Sequence, residues 1–173
     1  MVSKTFESLH DDKKARVTSA LLTEFSTYSL DEAQVARIVK DADIARGAFY
    51  KYFDDLADAY RYIYGVAMQD IHAQLRPQGD YDAQTYLDQV EQFVDQVQDS
   101  QYYALIQQHF TNNTDRVTQP NLARAEQMTS LASNVWAASI LSHETIKQIM
   151  LYPELKSALL QQLQRTLISL GKD

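Results

Sequence analysis

Helical periodicity returns along almost the whole chain, and few residues interrupt it. The 173 residues include only four glycines and three prolines. Apolar residues recur three and four positions apart in one segment after another, whereas no alternating run typical of a half-buried strand persists. The clearest break is the segment Arg76 to Asp80, which contains both a proline and a glycine. The sequence therefore predicts an all-α protein.

Two short helices joined by a tight turn are predicted near the N-terminus. Ser29 and Glu32 have the spacing of a capping box, so we expect the first of these helices to begin there. Its buried face would consist of Val35, Ile38 and Val39. The residues Lys40 to Asp43 should end it, because Asp tolerates the left-handed backbone of such a turn at a cost of about 1 kcal/mol.

The second short helix, about Ala45 to Tyr52, has one apolar and one polar face. Phe49 and Phe53 would be buried, and the outward side chains would be Arg46, Tyr50 and Lys51. A short helix that presents cations and a hydroxyl beyond a tight turn is typical of a helix-turn-helix that reads DNA.

Longer helices are expected on both sides of this pair. We predict them over about Asp11 to Thr27, Asp54 to Leu75, and Tyr81 to Gln98, followed by a shorter one that begins near Tyr102 and ends near Asn112. The first of them would bury Val17, Leu21, Phe25 and Tyr28.

The last two segments, Leu122 to Leu141 and Leu155 to Leu170, are apolar on more than one side. One chain can cover only part of such a surface. They are either well-buried helices of a monomeric core or, as we expect, helices that meet their copies in an intermolecular four-helix bundle. The expected interface residues are Leu122, Leu131, Ala138, Leu155, Leu159, Leu163 and Leu167.

Composition limits the remaining possibilities. A net charge of −7 argues against a protein that coats nucleic acid nonspecifically, so DNA binding requires local clustering of cations. The candidates are Lys13, Lys14, Arg37, Lys40, Arg46 and Lys51, which could otherwise be ordinary solvated charges. The lack of any long apolar run, of an apolar signal core and of cysteine predicts a cytoplasmic protein without disulfides or thiolate sites.

No catalytic or nucleotide-binding pattern in the sequence favours an enzyme. The four histidines are scattered without ligand spacing, and no glycine-rich phosphate loop is present. We therefore predict no catalytic residues, no metal and no cofactor.

The run from Ile38 to Phe53, I-V-K-D-A-D-I-A-R-G-A-F-Y-K-Y-F, resembles the signature of the TetR family of ligand-controlled repressors, commonly I-A-x-x-A-G-V-S-x-G-T-L-Y-x-Y-F. The matching positions are Ile38, Ala42, Ile44, Gly47, Tyr50, Tyr52 and Phe53. The resemblance covers about residues 10 to 64. Three departures stand out: Asp43 replaces the turn glycine, Ala45 replaces a serine, and Asp54-Asp55-Leu56 replaces S-K-E with its lysine.

The resemblance implies a three-helix DNA-binding domain, residues 1–53, followed by a helical effector and dimerisation domain, residues 54–173. The expected partners are a double-stranded operator, a small apolar or aromatic effector and a second copy of the chain. The implied DNA contacts are Gln34, Arg37, Ala45, Arg46, Gly47, Ala48, Tyr50 and Lys51. The implied pocket residues are Tyr64, Met68, Tyr86, Phe93, Tyr103, His109, Phe110, Met128 and Trp136.

Two other classes of function stay open. The acidic Asp54-Asp55 pair and the net charge fit a helical interaction protein that has lost DNA binding. The aromatic set alone supports a small helical enzyme or a ligand carrier.

Overall fold

The computed structural model describes residues 2–72, 81–114 and 122–172. Within these ranges it contains ten α-helices and no strand, as the periodicity predicts. The helices are α1 (Lys4–Glu7), α2 (Asp11–Thr27), α3 (Val35–Asp41), α4 (Arg46–Tyr52), α5 (Leu56–His72), α6 (Ala83–Gln98), α7 (Tyr103–Gln108), α8 (Leu122–Thr129), α9 (Ser133–Leu151) and α10 (Lys156–Leu170). A π-helical turn follows α7 and a 3₁₀ turn precedes α10 (His109–Asn113 and Pro153–Leu155). The predicted break at Arg76 to Asp80 lies outside the described residues.

The chain forms two compact units. The first consists of Met1–Asp70 with Gln101–Thr118, and the second of Ile71–Ser100 with Gln119–Asp173. The first unit thus extends beyond residue 53, where the sequence placed the end of the DNA-binding domain, and includes most of α5 as well as α7. Because a compact unit is defined by packing and a functional domain by its partners, the division at residue 53 stays a prediction.

Helix α2 forms the centre of the first unit. Its predicted bounds are confirmed, and Val17, Leu21 and Phe25 are fully buried. The Phe25 ring meets the ring of Tyr60 on α5 edge-to-face at 5.1 Å between centroids. Helices α3 and α7 both pack against α2.

The first short helix begins later than the capping box predicts. The Glu32 carboxylate does reach back to Ser29, accepting from its amide at 3.3 Å and from its hydroxyl at 2.8 Å. The Glu32 amide, however, donates to the Ser29 carbonyl, at 3.0 Å, and not to the hydroxyl. This arrangement closes a turn, and α3 begins only at Val35.

The second unit is built on three mutually packed helices, α6, α9 and α10. The N-cap of α6 is Asp82, whose carboxylate accepts from the Thr85 amide at 2.7 Å. Leu87, Val90, Val94 and Val97 form a buried apolar stripe along α6.

Candidate nucleic-acid interface

A left-handed residue forms the turn between α3 and α4. Asp43 has φ 52°, which confirms the predicted left-handed backbone. The Ile44 amide donates to the Val39 carbonyl at 3.0 Å, and the Asp43 amide donates to the Lys40 carbonyl at 3.3 Å. These two bonds form a Schellman motif, in which glycine is usual at the left-handed position. Asp43 therefore performs the reversal without glycine.

Helix α4 has a buried aromatic face and an exposed polar face. Phe49 and Phe53 are buried, as predicted, and Tyr52 is buried with them. The exposed side of the helix carries Arg46, Gly47, Tyr50 and Lys51. The N-cap is Ala45, and among the described residues no side chain, including that of Asp43, accepts from the first amides of the helix.

Small residues leave the start of α4 open to close approach. A Cβ added to Gly47 would meet no heavy atom within 4 Å, so packing within the described chain does not require glycine there. Ala45 is exposed and Ala48 half-buried, and neither has a long side chain that could hold a partner away.

Arg37 is hydrogen-bonded within the protein, but its side chain remains 32% exposed, so its predicted contact with DNA stays a prediction. Its guanidinium makes hydrogen bonds of 2.7 to 3.0 Å to both carboxylate oxygens of the buried Glu24, and one of 2.8 Å to the Glu32 carbonyl. Hydrogen bonding to Glu24 raises the pKa of Arg37 above its ordinary value. The guanidinium also lies 3.8 Å from the centre of the Tyr28 ring. These contacts hold the start of α3 against α2.

Gln34 takes part in the same arrangement through its backbone. It is the N-cap of α3, and its amide donates to Glu24 at 2.7 Å while its side chain stays exposed. Glu24 was not predicted as a functional residue. The signal was its position three residues after Leu21 and next to Phe25, on the buried face of α2.

Among the predicted cations, Lys40, Arg46 and Lys51 are exposed. Lys13 and Lys14 are half-buried: their ammonium groups lie 6.0 Å from the Tyr52 ring centre and 5.8 Å from the Phe6 ring centre, respectively. Two of the predicted cations thus lie beside the aromatic rings that pack under α4.

The acidic residues after α4 have a structural role. The Asp55 carboxylate accepts from the Asp58 amide at 2.7 Å, which caps the start of α5. The Asp58 carboxylate in turn accepts from the Asp54 amide at 3.3 Å. Asp54 and Asp55 nevertheless remain exposed, three and four residues after Lys51.

Comparison with known proteins identifies the fold. No family model and no curated protein matches the chain, but solved structures do. A TetR family transcriptional regulator from Chloroflexus aurantiacus J-10-FL aligns with TM-score 0.55 and 20% identity, over 98% of this chain and 96% of that one. The fatty acid degradation regulator FadR from Bacillus halodurans aligns with TM-score 0.58 and 16% identity, over 92% and 96%. A TetR regulator from Rhodococcus sp. RHA1 aligns with TM-score 0.50 and 14% identity, over 91% and 97%.

The chain has the TetR-regulator fold. The all-α prediction and the resemblance drawn from Ile38 to Phe53 are thereby confirmed at the level of fold.

The residues predicted to line a pocket in this fold divide between the two units. Tyr64, Met68, Tyr103, His109 and Phe110 belong to the first. There the rings of Tyr64 and His109 stack at 4.1 Å between centroids. His109 Nδ1 lies 3.1 Å from the Tyr60 hydroxyl, and burial lowers the pKa of His109 to about 4.

The other predicted pocket residues, Tyr86, Phe93, Met128 and Trp136, belong to the second unit. Tyr86 and Phe93 are buried on α6. Met128 and Trp136 instead line an open groove of about 760 Å³, together with Leu131 and Leu170. Two of these four residues are therefore buried in the unit, and the other two line an open groove.

The predicted interface residues also separate into two groups. Ala138, Leu163 and Leu167 are buried in the core of the protomer itself and present no surface to a partner, which corrects that part of the expected interface. Leu131 and Leu159 are half-buried, and Leu122 and Leu155 are exposed. The large exposed apolar side chains of this unit are Leu122, Trp136, Ile140, Tyr152, Leu155 and Ile168.

Among the described residues, no helix is long and apolar enough to span a membrane. The described part of the chain also contains no cluster of three or more side chains suited to hold a metal ion.

Proposed function

We propose that this chain is a DNA-binding transcriptional regulator, a dimeric repressor that a small effector releases from its operator. Residues 1–53 would bind the operator, and residues 54–173 would bind the effector and form the dimer. The observation that carries the proposal is the exposed face of α4, where Arg46, Tyr50 and Lys51 project from a helix whose other face is held by buried aromatic rings.

Each exposed side chain suits a different part of a DNA duplex. Arg46 is the first residue of α4, and the N-terminal residues of a recognition helix contact base edges in the major groove. An arginine guanidinium can donate two hydrogen bonds to one guanine, to its O6 and N7 atoms. Lys51 and the Tyr50 hydroxyl, about one turn further on, suit phosphate oxygens. Ala45, Gly47 and Ala48 let the helix backbone approach the groove.

Arg37 has a different role in this proposal from the one first expected. Its charge is compensated by Glu24, so it supports the interface by fixing α3. The exposed side chain of Gln34 remains a candidate contact to the sugar-phosphate backbone.

Mobility-shift titration at low salt with the DNA upstream of the protein's own gene tests this proposal. Arg46→Ala and Tyr50→Phe should each weaken binding by about 1 to 3 kcal/mol if the contacts are direct. Arg165→Ala, an exposed arginine on α10, is the matched control and should bind like the wild type. Wild-type affinity in the triple variant Arg46→Ala, Tyr50→Ala, Lys51→Ala would contradict the proposal.

We propose an effector that is small and largely apolar or aromatic. A fatty acid degradation regulator shares the fold, and tyrosine and tryptophan can bury a ring while offering one hydrogen bond. The same titration, repeated with fatty acids and planar aromatics, tests this: a ligand that favours one conformation should change operator affinity by 5- to 150-fold, which is a coupling of about 1 to 3 kcal/mol.

A protein that has kept the fold and lost DNA binding is the second candidate. The exposed Asp54 and Asp55 beside α4, together with the net charge of −7, favour it. Failure of the wild type to shift any duplex at low salt would support this candidate over a repressor.

A further inference from the structure

The exposed helix α4 is a weak element by itself. It has seven residues, and isolated helices shorter than about 12 residues are marginal in water. Its N-cap is Ala45, which supplies no side-chain acceptor. No glycine ends it either, since the C-cap is Phe53 in an extended conformation. The last carbonyls of such a helix need donors from elsewhere.

Ser3, 48 residues away in the sequence, supplies those donors. Its hydroxyl donates to the Lys51 carbonyl at 2.6 Å, and its amide donates to the Tyr52 carbonyl at 3.1 Å. The same hydroxyl oxygen accepts from the Phe6 amide at 3.2 Å and so caps α1. Ser3 therefore caps the start of α1 and donates to the last carbonyls of α4.

Phe6 packs against the buried aromatic face of α4 and so fixes this contact. It is fully buried, and its ring centroid lies 5.6 Å from that of Tyr52, 5.0 Å from that of Phe53 and 5.0 Å from that of Tyr62. Residues 3–8 are thus packed as part of the first unit, and Ser3 is held beside the carbonyls that it binds.

We propose that Ser3 is a positioning residue for the DNA-reading helix: it holds the last turn of α4, and thereby Tyr50 and Lys51, in the orientation that the operator requires. The inference rests on the proposed function for its effect on DNA. The contact itself is independent of any DNA. Ser3 touches no base or phosphate in this scheme, so it acts through α4 alone.

Two substitutions of similar size at Ser3, one that keeps the hydroxyl and one that removes it, test this role. Ser3→Thr keeps the donor, whereas Ser3→Val has the shape of threonine without it. Thr5→Ala, an exposed hydroxyl on the same short helix, is the control. The readouts are affinity for the operator, affinity for an unrelated duplex, and amide hydrogen exchange of Lys51, Tyr52 and Phe53 in the DNA-free protein.

We expect Ser3→Val and Ser3→Ala to bind the operator roughly five-fold more weakly, the effect of one lost hydrogen bond, and to exchange the last amides of α4 faster by a similar factor. Their affinity for unrelated DNA should fall in parallel, because Tyr50 and Lys51 are expected to contact phosphates, which every duplex presents. Ser3→Thr and Thr5→Ala should match the wild type. Unchanged exchange in Ser3→Val, or faster exchange with unchanged operator affinity, would overturn the inference. A wild type that binds no DNA would contradict the proposed function, and the exchange measurement would still decide whether Ser3 holds α4.

Discussion

Glu24 is a carboxylate on the buried face of α2, and its surroundings explain the role of Arg37. A buried carboxylate is costly unless it is paired and hydrogen-bonded. Arg37 provides a two-point contact and the Gln34 amide provides a third donor, while the Tyr28 ring covers the guanidinium. A guanidinium that is paired with a buried acid has fewer donors left for phosphate. Among the predicted cations, the exposed Lys40, Arg46 and Lys51 are therefore the first candidates to reach DNA.

The burial of His109 leads us to expect that the free energy of unfolding depends on pH. Burial lowers its pKa from 6.5 to about 4, so the unfolded chain binds a proton that the folded chain does not. The free energy of unfolding should therefore fall as the pH drops from about 6.5 toward 4, with a contribution of roughly 2 kcal/mol at pH 5.

Urea titrations of the wild type and His109→Gln at pH 7.5 and pH 5 measure this contribution. The variant should lose less stability between the two pH values than the wild type does. His10→Gln, at an exposed histidine, is the control and should behave like the wild type. Equal losses in the wild type and His109→Gln would show that His109 does not titrate as its burial requires.

At the scale of helices, the short elements depend on contacts that local patterns do not contain. Helix α1 has four residues, too few to show a period, and it was not predicted. Helix α3 begins at Val35 because the Ser29–Glu32 pair closes a separate turn. The long helices α2 and α6 follow their apolar stripes closely.

The cap of α5 leads to a prediction about charge near α4, the proposed DNA-reading helix. Asp55 stabilises the first turn of α5 but adds a negative charge four residues after Lys51. Asn is as good an N-cap as Asp, whereas Ala removes about 1 kcal/mol. Asp55→Asn should therefore raise operator affinity at unchanged stability.

Thermal unfolding and mobility-shift titration of Asp55→Asn and Asp55→Ala separate the two effects of this residue. Asp55→Ala should melt at a lower temperature than Asp55→Asn. The gain in operator affinity should shrink as salt is added, because screening weakens the repulsion that the substitution removes. No gain at low salt would mean that Asp55 lies too far from the phosphates to repel them.

At the scale of the whole molecule, the exposed apolar residues of the second unit predict a dimer. Ile140 on α9 and Ile168 on α10 are each nearly half exposed, at 46% and 49%, although these two helices pack together. We expect the double variant Ile140→Glu, Ile168→Glu to be a folded monomer, because two charges at a buried seam are strongly unfavourable.

Light scattering at micromolar concentration, combined with circular dichroism, checks the dimer. Leu163→Glu gives the contrast: Leu163 is 3% exposed within one protomer, so this variant should lose its fold and not only its partner. A monomeric wild type would refute the proposed dimer.

Part of this protein could be predicted from the sequence because the responsible contacts are local. Residues three and four apart share a helix face, so the stripes of α2 and α6 and the all-α class are legible in the chain. The left-handed Asp43 and the buried Phe49 and Phe53 were predicted for the same reason. The motif from Ile38 to Phe53 then led to the correct fold.

Tertiary structure alone decided which candidates are exposed and which are already bound. Arg37 meets Glu24 from 13 residues away, and Ser3 meets Lys51 from 48. Leu163 and Leu155 both belong to the apolar segment from Leu155 to Leu170, but of these two only Leu163 is buried by the neighbouring helices. A periodic pattern gives the face on which a residue lies, whereas the partner on that face depends on distant segments that meet only when the chain folds.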